Sequence, residues 1–202
     1  MQTNQRELLI AEIQGKNSFL KVKPDALKIG KVLFAFVEYD KDNGNKIKKS
    51  IDIYMSTADA LVLAYEILNG TIESKAAMSY GPSDKYPPAF WTSKLGGIKE
   101  ETVKKRGLRT DGKAISRCFS ISVGALMNDG NRNPYVLTAI SKPGSTNAYG
   151  LIVPDKGAKG EYIRVPVLDK NVLTSMALEI ISWNVAQHTK DLQEVIHVPT
   201  QG

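Results

Sequence analysis

The sequence predicts an α+β protein of 202 residues, with antiparallel sheets and helices on one face. Its strands and helices group into two β-β-β-β-α units that form an internal pseudo-dimer. Two observations carry this. Short segments of period-2 alternation are separated by turn residues, and twice such a segment runs directly into a helical period of 3.6. The two junctions superpose at an offset of 112 residues: Ile51, Ile53 and Met55 fall on Ile163, Val165 and Val167. At the same offset Leu61, Ala64 and Leu68 fall on Leu173, Met176 and Ile180.

In chain order, ELLIAEI at 7–13 fits a short helix or a first strand equally well. FLKVKP at 19–24 alternates and stops at Pro24. KVLFAFVEYD at 31–40 is rich in aromatic and β-branched residues and reads as a strand. Asn43-Gly44 in DKDNGNK is a hairpin signal, because both residues tolerate positive φ. KKSIDIYMS alternates Ile51, Ile53 and Met55 against Ser50, Asp52 and Tyr54. A helix over 57–68 follows, with Ser56 and Asp59 spaced as a capping box. Leu61, Ala64, Tyr65 and Leu68 form its stripe, and Asn69-Gly70 ends it.

In the second half, ISRCFSISVG at 115–124 alternates Phe119, Ile121 and Val123 against Cys118, Ser120 and Ser122. YVLTAISKPG reads as a strand with a Pro-Gly stop, AYGLIVPDKG as an extended segment broken at Pro154, and EYIRVPV as the last strand. The final helix, 170–187, is capped by Asp169 and striped by Leu173, Met176, Ala177 and Ile180. The tail from Thr189 fits either a short strand or a frayed end. The expected division is a first unit at 1–75, a basic connector rich in proline, glycine and aromatics at 76–114, and a second unit with its tail at 115–202.

Formal charge is +6 and pI about 9.2, which permits a nucleic-acid partner without requiring one. The distribution is uneven. From Lys85 to Arg117 stand nine basic residues against three acids, which equals the whole net charge. The aromatic stretch KYPPAFWTSKLGG, 85–97, opens that segment. One helix per unit covers one sheet face, so the other faces water with polar and aromatic groups: Asp52, Tyr54, Ser120, Ser122, Tyr162 and Arg164.

Rings beside cations are the two devices that bind single strands, one stacking on bases and one tracking phosphates. The candidate site residues are Lys46, Lys48, Lys49 and Tyr54 in the first unit. In the connector they are Trp91, Lys94, Lys104, Lys105, Arg106 and Arg109. In the second unit they are Lys159, Tyr162 and Arg164. Trp91 has a second reading as an anchor that staples its segment to the core. Glycines around 104–106 predict a mobile loop that orders on binding. The helix at 57–68 carries no Lys or Arg, which disfavours major-groove reading of duplex.

Signals for an enzyme are sparse. His188 and His197 lie outside any metal-ligand spacing, and His188 reads as a helix-end residue. Asp25, Asp40, Asp42, Asp52 and Asp59 read as turn and cap residues rather than a metal cluster. Cys118, the single cysteine, has no histidine near it in sequence. No catalytic residue, metal or cofactor is expected. One cysteine and no signal peptide or membrane span point to a reducing cytoplasm. The expected function is non-catalytic binding of single-stranded DNA, with RNA as a further partner and little sequence preference. Self-association through helices 57–68 and 170–187 is the expected protein contact. The competing reading is a structural or protein-interaction module that forms an oligomer and treats its charge as solubility.

The segments KVLFAFVEYDKDNGNKIKKSIDIYMSTADALVLAYEILNG and GLIVPDKGAKGEYIRVPVLDKNVLTSMALEII resemble, in architecture, the single-stranded-DNA-binding domain of transcriptional coactivators and the plant Whirly proteins. They cover less than half of the chain. The resemblance implies two sheet-plus-helix units paired through their helices, with Lys46, Lys48, Lys49, Tyr54, Lys159, Tyr162 and Arg164 near the nucleic acid. It also implies a role in replication, recombination or mobile-element maintenance. The basic segment from Lys85 to Lys113 departs from that pattern.

Overall fold

In the computed structural model, which describes residues 8–81, 84–127 and 130–196, strand β3 (Lys31–Asp40) is buried over Val32–Val37. A strand buried on both faces needs a continuous apolar run, and VLFAFV supplies it. It sits inside a four-stranded antiparallel meander: β1 (Ala11–Gln14), β2 (Ser18–Lys23), β3 and β4 (Lys46–Ser56). Of the ambiguous segment 7–13, residues 11–13 thus fall in a strand, and residue 7 lies outside the described residues. The β3–β4 turn differs from expectation by one residue: the left-handed positions are Gly44 and Asn45, not Asn43 and Gly44.

Helix α1 (Thr57–Leu68) follows β4 without a gap. The Ser56 hydroxyl accepts the Asp59 N–H at 3.0 Å and donates to the Asp59 carboxylate at 2.7 Å, so Ser56 caps α1, but the carboxylate takes the cap's hydroxyl rather than its backbone N–H as the expected box requires. Its buried stripe is Ala60, Leu63 and Ala64, with Ile67 packed against the core. The expected stripe was displaced: Tyr65 is 57% and Leu68 38% exposed. Nearly every position of ALVLAYEIL is apolar, so periodicity alone could not choose the face. Asn69 and a left-handed Gly70 end α1 where expected, and a short α2 (Thr71–Met78) follows.

The second sheet repeats the meander in the order β5, β7, β8, β10, with β6 also on β7 and β9 on β8. Its strands are β5 (Ala89–Thr92), β6 (Gly96–Ile98), β7 (Ala114–Ser122), β8 (Tyr135–Thr146), β9 (Ile152–Pro154) and β10 (Glu161–Val167). The segment 76–114 therefore supplies the edge of this sheet. It also supplies α3 (Glu100–Arg106), where a mobile loop was expected. Buried Val103 anchors α3, Glu100 and Glu101 favour its first turn, and Gly107 in the left-handed region ends it. β8 runs through Pro143 and Gly144 instead of stopping there. Pro143 lies opposite Ile115, and Gly144 admits the close pass of β9: a Cβ there would sit 2.5 Å from the Val153 carbonyl.

Asp169 accepts the Asn171 N–H and begins α4 (Lys170–Ile196), a 27-residue helix that packs along α1. It places His188 mid-helix rather than at an end, and it continues through much of the tail. His197 lies outside the described residues. Leu173, Met176, Ala177 and Ile180 are buried as expected. The helices superpose one residue later than the strands: Ala60, Leu63, Ala64 and Ile67 match Leu173, Met176, Ala177 and Ile180. The extra residue lies in the Leu168-Asp169 link.

The result is an α+β fold with two antiparallel sheets, helices on one face, and a repeated β-β-β-β-α order. The inner faces share one core. The Phe34 and Phe119 rings stack at 5.4 Å, and Phe36 meets Phe119 at 5.7 Å.

Candidate nucleic-acid interface

β4 ends the first sheet, and β5 with β6 forms a broken edge on the second. Ser93 carries the ladder across the break: its N–H donates to the Phe119 carbonyl at 2.8 Å, and its hydroxyl accepts the Phe119 N–H at 3.0 Å. The two sheet edges run side by side and leave a groove of two hollows, about 420 and 490 Å³. The hollows meet at Lys31, Ile53, Tyr54, Lys94 and Gly96. Volumes of this size are typical of ligand sites.

The first hollow is bounded by Trp91, Val62, Asp59 and Glu66. Trp91 is half-buried, 5.0 Å from Phe119, and its indole N–H donates to Glu66 at 2.8 Å. It anchors its segment and still lines the groove. Both acids are engaged. Lys75 also reaches Glu66 at 2.9 Å, and Lys94 lies 2.6 Å from Asp59. The Lys94 hydrogen bond, then that of Ser56, holds the Asp59 carboxyl below its ordinary range.

The second hollow is different in charge. Lys31, Lys94, Lys99, Arg106 and Arg117 line it against one carboxylate, Asp52. Arg117 lies inward on β7, in the alternation of Phe119 and Ile121, and its Nη1 donates to the Asp52 carbonyl at 3.0 Å. Its Nε is buried without an acceptor. Burial pulls its pKa down from the ordinary arginine value, yet a guanidinium stays charged at neutral pH. Tyr54, half exposed, stands on the outer face of the first sheet where the hollows meet.

Four of the sequence candidates thus line one groove: Tyr54, Trp91, Lys94 and Arg106. Lys104 and Lys105 stand on the same helix as Arg106 but outside the lining, and Lys104 pairs with Glu100 at 2.6 Å. Arg109 grips Asp111 through two hydrogen bonds of 2.9 and 2.6 Å. That contact and the Lys113 N–H bring the Asp111 carboxyl down to about 2. Lys46, Lys48 and Lys49 are exposed on the β3–β4 hairpin, and Lys48 pairs with Asp40.

Lys159 is exposed before β10, and Tyr162 and Arg164 lie on the outer face of the second sheet. There they line a separate basin of about 630 Å³ with Tyr86 and Met127. The Arg164 guanidinium and Lys142 ammonium sit 5.8 and 5.7 Å from the Tyr162 ring centre. Ser120, expected on the wet face, is buried beside its cross-strand neighbours Thr92 and Thr138.

Sequence reasoning passed over Lys31, Lys99 and Arg117. For Arg117 a signal existed: a cation in phase with Phe119 and Ile121 must point inward. Lys31 merely begins a strand, and nothing local marks it.

Among the described residues no group of three or more His, Cys, Asp or Glu could hold a metal, so the aspartates do not gather. Burial pushes the Cys118 thiol up, the opposite of an activated nucleophile. No described helix is long and apolar enough to cross a membrane.

No family model and no curated protein matches the chain. Among solved structures it is similar to "Structure of the plant transcriptional regulator PBF-2", at 12% identity and a TM-score of 0.42. The match covers 95% of this chain and 88% of that one. The likeness is distant, and family membership does not follow from it.

Proposed function

We propose that this chain is a non-catalytic binder of single-stranded nucleic acid, DNA foremost, which lies along the groove between β4 and the β5–β6 edge. One observation carries the reading: five cations face one carboxylate in a hollow that adjoins the exposed Tyr54 ring. Cations that track phosphates and a ring that stacks on a base are what a single strand requires. Neither device reads base edges, so little sequence preference follows. Lys46 and Lys49 on the hairpin, and Lys105 beside the groove, extend the positive field. Tyr162 and Arg164 form a secondary contact on the other sheet.

The test is a titration of labelled single-stranded DNA at low and moderate salt, with duplex DNA and single-stranded RNA in parallel. Salt-weakened binding that favours the DNA single strand supports the reading. Absence of binding at low salt refutes it.

A second reading has its own support. Val62 and Tyr65 on α1, and Leu178 and Val185 on α4, are apolar or aromatic and more than half exposed. Exposed apolar helix faces of this kind suit self-association. Sedimentation of the full chain over a concentration series checks it. A monomer at every concentration, unchanged by Val62→Glu or Tyr65→Glu, rules it out.

A further inference from the structure

We infer that the second hollow is the phosphate seat of the bound strand. Arg117, Arg106, Lys99 and Lys31 surround the phosphodiester, and Tyr54 forms the shelf for the adjoining base. This rests on the single-strand reading above and assigns a role to three residues that the sequence did not single out.

The two hollows differ in what they offer an anion. Lys31 and Lys94 line both, but the first sets two carboxylates, Asp59 and Glu66, against them, and these already hold Lys94 and Lys75. The second has Asp52 alone, against five cations. Lys31, Lys99 and Arg106 make no ion pair among the described residues, so their charge is available. Lys94 is different, because Asp59 holds it at 2.6 Å where the hollows meet. Arg117 makes no ion pair among the described residues either. Its one described hydrogen bond runs to a neutral carbonyl, and the Asp52 and Glu161 carboxylates act on it through space without a direct bond. A buried donor without an acceptor is costly, and an incoming phosphate oxygen is the kind of group that offsets it. Arginine suits the place because its planar fork matches two phosphate oxygens at once.

Tyr54 stands between this cationic end and the Trp91 end. A strand laid along β4 therefore meets charge first and a ring next, the order in which a phosphate and its base are to be held.

The experiment is fluorescence anisotropy of labelled oligo-dT with the full chain across a salt series. Each phosphate neutralised contributes about 0.7 to the slope of log K against log salt for single strands. Lys99→Gln and Arg106→Gln should each flatten the slope by about that amount. Lys170→Gln, on α4 at its contact with Glu73, should leave it unchanged. Tyr54→Ala should weaken binding about fivefold or more at every salt concentration without altering the slope. Arg117→Lys, which keeps charge but loses the fork, should weaken binding several-fold. If the wild-type chain binds and neither Lys99→Gln nor Arg106→Gln moves the slope, the seat lies elsewhere while the single-strand reading stands. If the wild-type chain does not bind at low salt, both fall.

Discussion

The indole N–H of Trp91 donates to the carboxylate of Glu66 at 2.8 Å, joining β5 to α1 across the groove. Glu66 in turn holds Lys75 of α2, so one carboxylate ties three elements together. Glu66→Ala strands a partly buried donor and frees the lysine. We expect a loss of about 1–2 kcal/mol in urea unfolding, and a red-shifted tryptophan emission. An unchanged midpoint would mean that the ring contact with Phe119 alone fixes Trp91.

Phe119 touches Phe34, Phe36 and Trp91, so one ring joins both sheets and the aromatic segment. Phe119→Ala should cost about 3–5 kcal/mol. Because the core is shared, far-UV and near-UV signals should still move together in a single transition. Two separate transitions, in wild type or variant, would show that each half carries its own core.

The strand-helix junctions were legible because local rules and tertiary packing agree there. Alternation at Ile51, Ile53 and Met55 met an N-cap at Ser56, and the strand and the Ser56–Asp59 N–H bond both form. What escaped depends on distance in sequence. β5 and β6 are three or four residues long, and only their pairing to β7 makes them strands. The α1 face was chosen by α4, more than a hundred residues away. The groove was half legible. Its cations stood out as a cluster at 85–117, but their grouping with Tyr54 and Lys31 is a product of two sheet edges meeting. Periodicity within one segment contains no such information.

The pairing of Arg109 with Asp111 sets a pH dependence. The Asp111 carboxyl titrates at about 2 in the folded chain, lowered first by the Arg109 hydrogen bond and then by the Lys113 N–H. Its unfolded value is about 3.9. A lowered carboxyl stabilises the fold above the unfolded pKa, and that contribution fades as pH falls from about 4 towards 2. Arg109→Gln should raise the Asp111 pKa, as read by carbon-detected NMR, and shrink this acid-range loss. It should also weaken DNA binding less than Arg106→Gln, because Arg109 is already engaged. A larger binding loss at Arg109 would mean that the Asp111 pair opens to admit phosphate.

Gly97 and Gly96 are neighbours on β6 with opposite requirements. Gly97 has φ 147°, and a Cβ there would lie 1.9 Å from the Ile115 carbonyl oxygen on β7. No side-chain rotation relieves that, because both the backbone and the obstacle belong to the ladder. Gly96 would place its Cβ 3.8 Å from the Arg117 carbonyl, an ordinary contact. Gly97→Ala should therefore push β6 off β7, costing about 2–4 kcal/mol, whereas Gly96→Ala should stay within about 1 kcal/mol of wild type. The Gly97 change also displaces the groove wall that carries Ile98 and Lys99. Single-strand affinity should then drop even at temperatures where the chain remains folded by circular dichroism. Full affinity in a folded Gly97→Ala chain would show that β6 does not form a wall of the interface.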